Sequence, residues 1–128
     1  MPSKLLIITD LVAAPQLWRQ MLVRSGKEIH VDDVSFVTDE LNAAHLAHYD
    51  MILLDLHKRA SDSVRICQQL CPHYANPLLV IMQEKDKDLM WRVYDTGADD
   101  CLVQPMSNRL LLAIVNAWLR RAQMSPSS

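Results

Sequence analysis

The stretch Asp50–Lys58 reads DMILLDLHK, and its pattern decides the fold. Between Asp50 and Asp55 stand Met51, Ile52, Leu53 and Leu54, with no polar residue alternating among them. A short run of this kind suits a strand buried on both faces, as in a parallel sheet covered by helices. Asp55 then lies at the far end of a strand that water does not reach. A lone buried carboxylate is expensive, so Asp55 must be paired or have a chemical task.

The same pattern recurs on either side. Leu5–Ile8 (LLII) and Leu78–Met82 (LLVIM) are further continuous apolar runs, Cys101–Val103 is a weaker one, and Ile29–Val34 reads as an edge strand. Helical spacing fills the gaps. From Pro15 to Arg24, Leu17, Trp18, Met21 and Leu22 share a face, with Pro15 in the first turn and Gly26 placed to close the end. Thr38 can cap a helix carrying Leu41, Ala44 and Ala47. Ser61 or Asp62 can open a helix carrying Val64, Cys67, Leu70 and Cys71, stopped by Pro72. Asp86 or Asp88 opens a fourth, ending before Gly97. Ser107 opens a fifth, with Leu111, Ile114, Val115, Trp118 and Leu119 at helical spacing. Alternating strands and helices predict a doubly wound α/β sandwich. Sites in such sheets lie outside the carboxyl ends of the strands. Asp10, Asp55 and Gln104 stand at or just past three of those ends, so the two acids are expected to converge on one rim.

Bulk composition excludes several classes. The chain has 128 residues, enough for one domain with a full core, and is 50% hydrophobic and 22% charged, which rules out intrinsic disorder. A net charge of −2 gives no basic footprint for direct nucleic-acid binding. No apolar run approaches membrane-spanning length. The start MPSKLLIITD shows no signal-peptide pattern, and Cys67, Cys71 and Cys101 are odd in number, so a cytoplasmic protein with reduced thiols is expected. Only Gly26 and Gly97 are present, too few for a glycine-rich phosphate loop or a nucleotide or flavin site. The pair Cys67/Cys71 reads as small buried hydrophobes rather than a metal or redox pair. His45 and His48 read as a solvated face, and Trp18 and Trp118 as core.

KLLIITD, YDMILLDL, PLLVIM, GADDCLVQP and the closing LLLAIVNAWLRR together resemble the receiver domain of bacterial response regulators over essentially the whole chain. The last segment resembles the final helix of receivers that precede a winged-helix DNA-binding domain. The resemblance implies a flavodoxin-like α/β fold: a five-stranded parallel sheet of order 2-1-3-4-5 with five helices in three layers. It implies a receiver over residues 1–122 and a linker-like tail over 123–128 leading toward an effector. Asp55 matches the phospho-acceptor, attacking a phosphohistidine on a histidine kinase or phosphotransfer protein. Asp10, Asp55 and the backbone carbonyl of His57 match the ligands of Mg2+. His57 is expected to offer that carbonyl rather than its imidazole.

The departures are specific. Thr9 replaces the first acid of the usual pair, Met82 the hydroxyl residue ending the fourth strand, and Gln104 the lysine before the proline. Cys101 replaces the aromatic that follows the phosphate inward, Arg59 a proline and Ser63 a glycine. The acceptor is therefore expected to survive while the usual readout is broken. Gln104–Pro105 is expected to keep the family's cis peptide. On the face formed by the fourth helix, fifth strand and fifth helix, Met90, Leu110 and Ile114 replace charges, while Asp95, Asp100 and Arg121 keep part of the polar pattern. A homodimer through that face is expected, without phosphorylation. The competing reading is a pseudo-receiver, a dimerisation module that takes no phosphate. An aspartate-nucleophile phosphatase is disfavoured because ITDLVAA lacks its second aspartate.

Overall fold

The structure, a computed structural model, describes residues 2–35 and 43–124. Five strands form one parallel sheet: β1 (Ser3–Thr9), β2 (Ile29–Ser35), β3 (Met51–Asp55), β4 (Leu78–Met82) and β5 (Asp100–Val103), in the order β2-β1-β3-β4-β5. The flanking helices are α1 (Ala14–Val23), α2 (Ala43–Leu46), α3 (Asp62–Leu70), α4 (Lys87–Asp95) and α5 (Asn108–Met124). All side chains of β3 and β4 are buried, as their unbroken apolar runs require.

The two faces of the sheet make separate cores. Leu5, Ile7, Leu53, Ile81 and Leu102 pack against Trp18 and Leu22 of α1 and Leu111, Val115 and Leu119 of α5. Leu6, Ile8, Ile52, Leu54, Val80, Met82 and Cys101 pack against Val64, Cys67 and Leu70 of α3 and Leu89 and Val93 of α4. This alternation matters at the strand end. Asp55 has the parity of Leu53 and points to the α1–α5 side, whereas Met82 and Cys101 belong to the α3–α4 side.

Two expectations need correction. Of the five expected helices, only four exceed a single turn among the described residues. The expected cap Thr38 and Leu41 lie outside the described residues, and the described part of α2 is one turn. It is held by Leu46, buried in the core, and by Tyr49, whose hydroxyl donates to Asp32 at 2.7 Å. Leu17 is 57% exposed, because Ala14, Trp18 and Leu22 take the buried stripe of α1. α5 runs through Met124.

Other local signals act as read. Gly26 closes α1 at φ +73°, Asp86 caps α4 by accepting the Leu89 N–H at 3.1 Å, and the Ser107 hydroxyl accepts the Leu110 N–H at 3.1 Å. The Gln104–Pro105 peptide is cis.

Candidate functional site

β1 and β3 are paired so that Thr9 lies beside Asp55, which puts Asp10 one residue further out on the same rim. Asp55 is only 4% exposed, the sole acid among the buried described residues. Its charge is met entirely by hydrogen-bond donors. The indole Nε1–H of Trp18 donates to Oδ2 at 2.9 Å. On Oδ1, Gln83 Nε2 donates at 3.2 Å and His57 Nε2 lies at 3.0 Å. The imidazole of His57 thus engages Asp55 directly, where the expectation favoured its carbonyl. The reason is local: the chain bends after Leu56, which returns the ring to the carboxylate two residues back.

Asp10 turns to a different task. Oδ1 accepts the backbone N–H of His57 at 2.7 Å, and Oδ2 those of Lys58 at 2.9 Å and Arg59 at 2.8 Å. Burial pushes the Asp10 carboxyl up, but the N–H groups of His57, Arg59 and Lys58 outweigh it and hold it below its ordinary value. The third N–H exists because position 59 is arginine; a proline there has none. Thr9, also buried, accepts the Leu11 N–H at 3.1 Å through its hydroxyl.

A magnesium ion would have to compete for this donor set. It takes oxygen ligands, and a ligating carboxylate oxygen can keep a hydrogen bond on its second lone pair. Here both oxygens of Asp10 and both of Asp55 face nitrogen donors, and the pair's first acid is a threonine. Among the described residues no group of three or more His, Cys, Asp or Glu side chains could hold a metal. No step below is routed through one.

Beside Asp55 opens a cleft of about 160 Å³, lined among others by Leu17, Trp18, His57, Gln83, Gln104 and Asn108. Among the described residues no Lys or Arg lines it. The side chain of Gln104 turns back to accept the Met106 N–H at 2.9 Å. Met82 and Cys101 are buried against each other on the opposite side of the sheet, the Cys101 thiol donating to the Met82 sulfur. Cys67 and Cys71 also hydrogen-bond to each other; that contact, with burial second, pushes the Cys67 thiol up.

On the α4–β5–α5 face, Leu110 is 50% and Trp91 69% exposed, while Met90 and Ile114 are half-buried against the core. Asp95 is exposed. Asp100 is bound within the chain, accepting the Tyr94 hydroxyl at 3.2 Å and the Trp118 indole N–H at 3.0 Å. The Arg121 guanidinium stacks over Trp118, 4.8 Å from the ring centroid.

Trp18 and Gln83 are the two site residues that sequence reasoning missed. Gln83 directly follows β4, and the rule that singled out Gln104 after β5 would have found it. Trp18 bore only the signal of a core position.

The response regulator receiver domain family matches residues 5–116. The chain belongs to that family. Curated relatives include the transcriptional regulatory protein ResD of Bacillus subtilis, 32% identical over 124 residues covering 96% of this chain and 50% of ResD. SrrA of Staphylococcus aureus is 29% identical over 123 residues, again 96% of this chain and 50% of the relative. This receiver therefore spans about half the length of the curated relatives it matches. A two-component response regulator from Clostridium difficile superposes with TM-score 0.74 at 23% identity, covering 96% of this chain and 99% of that one. The receiver domain of a Vibrio parahaemolyticus repressor gives TM-score 0.75 at 19% identity, covering 97% and 95%. At such identities these structures speak for the fold alone. No described helix is long and apolar enough to cross a membrane.

Proposed function

We propose that this receiver is the input half of a transcription regulator, taking a phosphoryl group on Asp55 from a histidine kinase or phosphotransfer protein. The observation that carries this reading is Asp55 itself: a carboxylate buried to 4% exposure at the carboxyl end of the central strand, opening on a cleft. An Asp55 oxygen attacks phosphorus, the P–N bond of the donor phosphohistidine breaks, and its electron pair leaves on the imidazole, which takes up a proton. The acceptor becomes an acyl phosphate. The amides of Gln83, Gln104 and Asn108 line the space a phosphoryl group would enter. Neutral donors bind phosphoryl oxygens about half as strongly as charged ones, so the phosphorylated state is less favoured than one met by lysine.

The second reading, a phosphorylation-independent dimerisation module, is favoured by two observations. Both Asp55 oxygens are already engaged, and the Met82–Cys101 contact leaves nothing to rotate between β4 and β5. The two readings separate on incubation with acetyl phosphate, with and without Mg2+, followed by intact-mass measurement. One added phosphoryl mass, absent from Asp55→Asn, is the expected result. No adduct from either the small donor or a kinase leaves the module reading.

A further inference from the structure

The usual route from acceptor to surface is gone on the α3–α4 side, where Met82 and Cys101 are locked together. The one aromatic ring that touches Asp55 comes from the opposite side of the sheet. We infer that Trp18 is a latch on Asp55: its indole N–H holds Oδ2 while the acceptor is bare, and its release on phosphorylation carries the conformational signal into α1 and α5. The release half rests on the reading of Asp55 as acceptor; the latch half does not.

Three observations carry this. First, the contact is short and dry: 2.9 Å, with both residues 4% exposed. A hydrogen bond to a buried ionised oxygen is of the strong kind and is screened little by solvent. Second, the parity of β3 aims Asp55 at the α1–α5 core, in which Trp18 packs with Leu22, Leu111 and Val115. Any displacement of the indole must therefore be accommodated between those two helices. Third, the cleft beside Asp55 is walled by Trp18 itself. Phosphorylation converts an ionic carboxylate oxygen to a neutral carbonyl oxygen or to the oxygen bridging to phosphorus, which weakens the indole bond, and adds bulk against the ring. Both changes press the same way. Trp18 is thus a positioning residue, acting on attack through the oxygen it restrains.

The test uses the whole chain with nitrogen-15 in its three indoles, Trp18, Trp91 and Trp118, assigned by single Trp→Phe variants. In the wild type the Trp18 indole proton should exchange with solvent slowly. Asp55→Ala should shift that signal and raise its exchange at least tenfold, with Trp91 unmoved. Asp55→Asn, which keeps the side-chain shape, should shift it less in the same direction. Trp18→Phe, which keeps a ring but removes the donor, should form the acetyl phosphate adduct at least ten times faster than wild type. In the wild type the Trp18 signal should move in proportion to the adduct. A Trp18 signal indifferent to both Asp55 substitutions overturns the latch. So does an adduct forming in Trp18→Phe within twofold of the wild-type rate. If no chain takes phosphate, the acceptor reading and the release half fall together, while the response to Asp55→Ala and Asp55→Asn still decides the latch.

Discussion

At the scale of single residues, two acids on one rim solve the same problem in different ways. Asp55 is desolvated and takes its compensation from an indole, an amide and an imidazole. Asp10 is partly solvated and spends both oxygens on consecutive amides of the β3–α3 loop. Its role is therefore to shape the loop that carries His57 back to Asp55. Asp10→Ala should destabilise the chain by about 1.5–3 kcal/mol, the range for hydrogen bonds to a charged partner, as measured by urea unfolding. The folded carboxyl titrates below its ordinary value of 3.8, so its contribution is present above that pH and is lost as pH falls through the lower folded value. The acid limb of the stability curve should flatten in the variant. Added Mg2+ should leave the wild-type midpoint unmoved; a clear rise would show that the loop amides yield to a cation.

At the scale of elements, the turn between α4 and β5 is a tight constraint on packing. Gly97 stands there at φ +116°, where side chains are rarely tolerated, and an added Cβ would come within 2.9 Å of Cys71 Cβ at the end of α3. Three elements are thus brought together at a point with no spare volume. Gly97→Ala should cost about 1–3 kcal/mol, the usual penalty for overpacking, and should lower the thermal midpoint. An unchanged midpoint would mean that the α3 terminus gives way freely. Next to it, Asp100 ties α4 to α5 through Tyr94 and Trp118. That internal use leaves Asp100 less available for pairing with a second chain.

At the scale of the molecule, the α4–β5–α5 face combines exposed Trp91 and Leu110 with a groove of about 450 Å³ lined by Lys85, Lys87, Met90, Trp91 and Tyr94. Exposed apolar surface of this kind marks association sites. With Asp100 and Arg121 engaged inside the chain, the attraction left for a homodimer is chiefly apolar. The expected outcome is a dimer in solution by light scattering, reduced to a monomer by Leu110→Glu. Equal masses for the two chains reject the surface.

The sequence by itself determined the parallel sheet and the rim that carries Asp10 and Asp55, while the strand order was implied by the family resemblance. Apolar runs such as MILL and LLVIM can be satisfied only by burial on both faces, and strand–helix alternation leaves few ways to achieve it. It also contained the departures at Thr9, Met82, Gln104, Cys101 and Arg59, since each is a change of functional group that needs no coordinates to read. Tertiary structure alone decided what those changes do. That Asp10 serves the loop amides and that an indole from α1 meets Asp55 both depend on contacts between residues 37 to 49 positions apart. Hydrogen bonds between side chains and distant partners turn on ångström-scale direction, which periodicity does not encode. Trp18 shows the limit most clearly: its spacing marked it as core, and only the packed sheet revealed that its one polar side-chain atom reaches Asp55.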